Sequence, residues 1–326
     1  MDILSSTMGS MRQRGMIHLL PVFIVLAVLS AGAIFTVKNN ISPTLSPPEP
    51  SSTPVPSPSA TPTVIPTATP VPVTPTPPPT GGPKPEPPAQ SGPPGAGLTS
   101  VNVATEKGNF KASILMIDLN GAKMVTDTGN DGDCGNDCTT LPLKDYVARN
   151  NGFAGVNGSY FCPDAYPECS GKKNSFDFPV YNSRLLHWNN QGNLFWDNRA
   201  IVYFDGTGAH YLQNAKDFNG SLSAGIVNYP GLLNDGNVQI DDNQSGLSDK
   251  QKAKGTKVGL GVSSNRNIMV VIAQNINMQE FAHVFKSLGA KGALNLDTGG
   301  STALYYNGSY IFGPGRNLPN AIIFSR

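Results

Sequence analysis

The sequence predicts an α+β chain: one β-rich mixed domain with few helices, preceded by a transmembrane helix and a disordered, proline-rich linker. Three observations lead there. Positions 16–37 are an almost uninterrupted apolar run, and Pro supplies 21 of the 52 residues from Pro43 to Pro94. After that, short apolar runs rich in β-branched and aromatic residues alternate with Gly- and Asn-containing turns, and one segment alone carries a clear helical period. Residues 98–326 suffice for one well-cored domain but not for two.

The elements follow in chain order. Residues 1–15 carry Arg12 and Arg14, and no acidic residue falls between Asp2 and Glu49. About 20 apolar residues cross a bilayer as a helix. Positive charge ahead of the run places residues 1–15 in the cytoplasm and the rest outside. A signal anchor over 16–37 is preferred to a cleaved signal peptide because the run is long, although Ala31-Gly32-Ala33 resembles a cleavage site. In the linker, 38–97, only Glu49, Lys84 and Glu86 are charged from Pro43 to Pro94. Such a composition cannot offset its ordering entropy, and as polyproline II it would reach roughly 160 Å. The protein is therefore expected at the cell membrane, single-pass, with its C-terminal domain outside, or secreted if the signal is cleaved.

Four cysteines, Cys134, Cys138, Cys162 and Cys169, lie in the domain. An exported chain can oxidise them to two disulfides, and the sequence leaves open which of three pairings forms. A four-thiolate zinc site is the rival, disfavoured by the C-x3-C and C-x6-C spacings. Asp127 to Cys134 is Asp-rich. Asp131 and Asp133 fit a calcium loop there, but Gly129 and Cys138 fall at ligand positions and cannot serve. No metal or other cofactor is expected.

Four hairpins are expected: 112–119 with 123–126 about Asn120-Gly121, 200–204 with 209–212, 258–262 with 267–273, and 303–306 with 309–312 about Asn307-Gly308. The helix begins at Asn277, with Glu280 completing a capping box. Phe281, Val284, Phe285 and Leu288 form its apolar stripe, and Gly289 its C-terminal stop. Capping is the preferred role for Glu280 over catalysis, and His283 reads as a core or solvated histidine.

Chemistry concentrates in three stretches. Leu294 to Thr302 ends a strand in Asp297 and continues through Gly299 and Gly300 to Ser301, a turn that brings backbone N–H groups close to a ligand beside a carboxylate. Gly155 to Phe161 sets Asn157 at another strand end. Gly313 to Ile323 holds Arg316 between glycines and Pro319, a fixed guanidinium suited to phosphate or carboxylate. A net charge of +1 without a basic run excludes nucleic acid as the expected partner. HExxH, P-loop and G-x-S-x-G motifs are absent.

Together these stretches resemble the phosphodiester glycosidase family, that of the mannose-6-phosphate uncovering enzyme and of bacterial proteins linked to exopolysaccharide biosynthesis. Its markers, G-[IV]-N-G-[GST]-[FY]-F, N-L-D-G-G-G-S, an arginine and P-N-A-I, match Gly155–Phe161, Asn295–Ser301, Arg316 and Pro319–Ile322. Gly231 to Asn237 resembles the family's central hairpin. Two positions depart from the pattern. Thr298 stands for the first glycine of the D-G-G-G-S loop. Gly255 stands for an arginine, leaving Lys254 or Lys257 to supply its charge. The resemblance implies a hydrolase cleaving a sugar-1-phosphodiester in a surface glycan, with Asp297 and Ser301 catalytic. Asn157, Asn295, Gly299, Gly300, Arg316 and Lys257 would bind substrate. A non-catalytic glycan-binding module on a proline-rich stalk is the alternative, and a structural wall protein a third reading.

Overall fold

The computed structural model describes residues 95–243 and 246–326. The expected cytoplasmic segment, the membrane helix and the linker up to Pro94 lie outside the described residues. Among the described residues no helix is long and apolar enough to cross a membrane.

Three antiparallel sheets build the domain. The largest has seven strands: β1 (Gly97–Thr105), β2 (Gly108–Ile117), β10 (Gly231–Asn234), β11 (Asn237–Val238), β12 (Gly255–Ser263), β13 (Ile268–Ile276) and β14 (Ala290–Asn295), in the spatial order β1-β2-β13-β12-β14-β10-β11. The second contains β3 (Lys123–Thr128), β4 (Gly152–Asn157), β15 (Leu304–Tyr306), β16 (Ser309–Phe312) and β17 (Asn320–Ser325), ordered β16-β15-β4-β17-β3. The third contains β5 (Val180–Asn182), β6 (His187–Asn189), β7 (Ala200–Phe204), β8 (Ala209–Leu212) and β9 (Ala224–Asn228), ordered β6-β5-β9-β7-β8. Helices are few: α1 (Leu143–Arg149), α2 (Asp249–Lys252) and α3 (Met278–Ser287).

The central core draws on all three sheets, and period-two alternation decides which side chains enter it. Along β13, Ile268, Val270 and Ile272 enter the central core with Leu115, Leu260, Val156, Ile226 and Phe324. Met269, Val271 and Ala273 point the other way, onto Phe281, Val284 and Phe285 of α3. Likewise Ile322 and Phe324 of β17 face the central core, while Ala321 and Ile323 pack on Leu143, Tyr146 and Val147 of α1. Strands covered on both faces read as continuous apolar runs, which is why β13 and β17 show no polar alternation.

Three of the four expected hairpins form: β7 with β8, β12 with β13, and β15 with β16. At the last, Asn307 and Gly308 take φ values of 47° and 90°, the left-handed pair that a two-residue hairpin turn requires. The hairpin expected over 112–126 does not form. Asp118 O accepts the Gly121 N–H at 3.3 Å, so the chain does turn at Asn120-Gly121. Neither residue has positive φ, however, and β3 leaves to pair with β17 while β2 pairs with β1 and β13. Helix α3 carries both halves of the expected capping box, Asn277 with Glu280, and Gly289 follows it at φ 78°. The cysteines pair locally, Cys134 with Cys138 and Cys162 with Cys169.

Candidate active site

Strands from all three sheets end at one place, and each ends in an asparagine that is fully buried: Asn157 of β4, Asn228 of β9 and Asn295 of β14. These amides are closed off from solvent and turn to protein partners, except that Asn295 Oδ1 finds none among the described residues. Asn157 Nδ2 donates to Asp297 O at 2.7 Å, and its Oδ1 accepts the Ala303 N–H at 3.0 Å. Asn228 Nδ2 donates to Asn295 O at 2.8 Å, and its Oδ1 accepts the Tyr160 N–H at 3.2 Å. Asn295 Nδ2 donates to Tyr160 Oη and to Leu296 O, both at 2.7 Å. Asn320, at the start of β17, accepts the Ser159 N–H at 2.8 Å. These amides tie three sheet ends together and fix the segment that follows β14.

That segment delivers Asp297. Its N–H donates to Gly158 O at 3.0 Å, and its carboxyl lies on the wall of a cavity of about 310 Å³. Tyr160, Phe161 and Tyr166 supply aromatic surface there, Thr298 and Ser301 hydroxyls, and Lys250 and Arg316 positive charge. Burial pushes the Asp297 carboxyl up to about 7, against the opposing pull of the Ser301 hydroxyl, the Arg316 charge and the Thr298 N–H. A carboxyl at that value exchanges a proton near neutral pH, as a general acid or base must. Burial also lifts the Tyr160 phenol to about 12, so it stays neutral and serves as a hydrogen-bonding group.

The turn after Asp297 is a single 3-10 turn, Gly299–Ser301. Thr298 sits in extended backbone, φ −118°, which any residue adopts, so this departure from the glycine pattern carries no conformational penalty. A Cβ on Gly300 would lie 2.5 Å from Arg316 Nη2, so a side chain there would push the guanidinium aside. Arg316 is anchored by its N–H on Gly300 O at 3.1 Å, and its guanidinium lies 5.0 Å from the Tyr166 ring centroid. The Tyr166 ring also carries Lys250 Nζ at 5.0 Å. The Cys162–Cys169 disulfide closes the loop that presents Pro163 and Tyr166 to the cavity.

Asp297, Ser301, Gly299, Gly300 and Arg316 are thus brought together. Three other expected substrate contacts need correction. Asn157 and Asn295 are buried beneath the cavity and their amides bind backbone and Tyr160, so both position the site without reaching its interior. Lys257 is also buried, and its ammonium donates to Lys250 O at 3.2 Å and Ala253 O at 3.1 Å, closing the end of α2. Lys254 is no substitute, since it pairs with Glu280 at 2.9 Å. The second cation in the cavity is Lys250, which the sequence reading passed over together with Tyr160, Tyr166 and Asn228. The repeated ending of an apolar strand in Asn, as in Gly-Val-Asn157, Ile-Val-Asn228 and Ala-Leu-Asn295, was the available signal for the clamp. Glu280 caps α3, and His283 is a core histidine of the same helix. Asp131 pairs with Arg184 at 2.6 Å, and Asp133 accepts the Asn190 N–H at 2.6 Å. Among the described residues no three His, Cys, Asp or Glu side chains are grouped to hold a metal.

The sequence profile of a family described as phosphodiester glycosidase matches residues 150–325. No curated protein sequence matches the chain. The catalytic domain of zebrafish N-acetylglucosamine-1-phosphodiester alpha-N-acetylglucosaminidase, auto-inhibited by its pro-peptide, is 14% identical at a TM-score of 0.55, over 73% of this chain and 87% of that one. A hypothetical protein from Synechocystis is 16% identical at a TM-score of 0.48, over 70% of this chain; the match spans 61% of that protein's length. A putative exported protein from Burkholderia pseudomallei is 13% identical at a TM-score of 0.42, over 67% and 74%.

Proposed function

Since the chain belongs to the phosphodiester glycosidase family, we propose that it hydrolyses a sugar-1-phosphodiester in a surface glycan, outside the cell and tethered by its N-terminal apolar segment. The observation that carries this reading is the Asp297 carboxyl held near 7 in a cavity that also presents Arg316.

The diester phosphate rests against Arg316, with Lys250 and the Gly299-Gly300 backbone beside it. The sugar lies on the aromatic surface of Tyr160, Phe161 and Tyr166. As the bond from the anomeric carbon to the phosphate oxygen lengthens, positive charge builds on the ring. The bonding pair leaves with the phosphate oxygen. That leaving group is a stable anion and needs no proton, and the two cations oppose its growing charge. Ionised Asp297 takes a proton from water, whose oxygen bonds to the anomeric carbon. Free sugar and a phosphate monoester result, and the proton passes to solvent. Ser301 and the Thr298 N–H favour the ionised carboxylate.

The test incubates purified protein with a sugar-1-phosphodiester and measures free sugar. Turnover is expected, with kcat/KM rising with pH through about 7 and then levelling as Asp297 ionises. No free sugar at any pH defeats the proposal. One observation favours the glycan-binding alternative: among the described residues lining the cavity, Asp297 carries the single carboxyl, whereas most glycosidases use two. Saturable binding without turnover would establish that alternative.

A further inference from the structure

The face of the third sheet turned away from the central core carries aromatic side chains that the proposed reaction does not use. Leu194 packs inward on Ile201, Ala215 and Val227. The next two side chains turn out: Phe195 is 77% exposed and Trp196 40%. Their segment is pinned on both sides. Asn190 Nδ2 donates to Phe176 O at 2.6 Å and Asn193 Nδ2 to Asp177 O at 2.7 Å. Lys216 pairs with Asp197, and the Ala215 N–H donates to Arg199 O at 2.6 Å. The two rings are thus held in water by a fixed backbone.

Arg199 joins them to other rings. Its guanidinium lies 5.9 Å from the Trp196 ring centroid, 5.6 Å from that of Phe178 and 4.9 Å from that of Tyr229. Its Nε, closed off from solvent, has no hydrogen-bond partner, and Nη1 reaches Asp197 O and Asn198 O only at 3.3 and 3.4 Å. No carboxylate pairs with it among the described residues. Phe178 in turn meets Tyr160 of the Asp297 cavity, ring centroids 6.3 Å apart. Each of these steps is near the length of one hexose in a chain. Size and chemistry state what fits here. Two rings so exposed offer on the order of 200 Å², whereas a stable protein interface takes about 800 Å² per partner. A glycan needs no more: the C–H face of a sugar lies on the negative face of an aromatic ring, and its hydroxyls take guanidinium donors. We propose that Phe195, Trp196 and Arg199 form a glycan-binding platform outside the Asp297 cavity, for an extended oligosaccharide. Neither phosphate nor Asp297 enters it, so it stands or falls apart from the hydrolase reading.

Neutral probes decide it. Full-length protein is passed over immobilised mono- and tetrasaccharides of glucose, mannose, galactose and N-acetylglucosamine, none carrying phosphate. At least one tetrasaccharide is expected to bind about tenfold tighter than its monosaccharide, with an affinity that salt does not change. Phe195→Ala with Trp196→Ala should remove that preference, and Phe195→Tyr with Trp196→Tyr should keep most of it. Both rings lie outside the core, and matching urea midpoints for the three proteins exclude unfolding as the cause. No length preference with any of the sugars, or one that survives the double alanine variant, overturns the proposal. So does a surface that holds a second copy or a lipid instead: sedimentation velocity or flotation with phosphatidylglycerol vesicles would then change in the alanine variant while oligosaccharide binding would not. Release of free sugar from a sugar-1-phosphodiester is measured separately. A length preference without turnover removes the hydrolase reading and leaves the platform standing, and turnover without the preference does the reverse.

Discussion

In the proposed mechanism Asp297 ties catalysis to stability, and Asp297→Asn tests both. An unfolded chain releases this proton near the ordinary 3.8, whereas the native carboxyl holds it to about 7. Between those values unfolding releases a proton, so stability is fully present below the lower one and is lost as pH rises through the upper one. The window spans about three pH units, each worth about 1.4 kcal/mol, so roughly 4 kcal/mol of native stability is lost between pH 4 and pH 8. Asn has nearly the same shape and does not titrate, so the variant escapes that loss. Urea unfolding followed through Trp188 and Trp196 fluorescence, run on both proteins at each pH, isolates the effect, because every other titrating group is common to the two. The stability difference in favour of the variant should grow by roughly 4 kcal/mol from pH 4 to pH 8. For a domain of this size that is on the order of 10 °C in Tm at the alkaline end. Turnover of the same variant should fall by about 10²–10⁴. A difference that stays flat with pH, or grows in the opposite sense, would refute the buried, proton-holding carboxyl and with it the assignment of Asp297 as the proton-transfer group.

Arg316→Lys keeps the charge but loses the planar fork and its contact with the Tyr166 ring, so steady-state kinetics should show KM rising before kcat falls. Asn157→Ala strips partners from Asp297 O and the Ala303 N–H in a fully buried place, and chemical denaturation should report a loss of about 2–4 kcal/mol. Thiol titration should find no free thiol in exported protein before reduction. Cys162→Ser with Cys169→Ser should cost roughly 2–3 kcal/mol and weaken binding in the Asp297 cavity through the loosened Tyr166 loop. Full-length protein should stay with membranes through salt and carbonate washes, with its C-terminus open to protease from outside; a mature form starting near Ile34 and free in the medium would contradict the anchor.

Turns and caps were legible in the chain because their causes are local. Asn307-Gly308 fixes its hairpin through two left-handed residues, and Asn277 with Glu280 starts α3 by satisfying each other's backbone N–H groups. The order of Asn157, Asp297, Ser301 and Arg316 likewise identified the segments that build the cavity. The sequence could not tell which side chains within those segments face the cavity. Asn157, Asn295 and Asp297 are all polar residues at or just beyond strand ends. Only the meeting of three sheets buries the first two as clamps and leaves the third on the cavity wall. Lys250, Lys254 and Lys257 are equally basic and closely spaced. Lys257 turns inward to close α2, Lys254 pairs with Glu280, and Lys250 alone reaches the cavity. The Asn120-Gly121 turn also forms without its hairpin, because pairing is decided by which partners bury both faces of β2 and β3. Local conformational preference is written residue by residue. Burial, and the proton affinity that burial gives Asp297, depends on residues far apart in the chain and exists only once the sheets close around it.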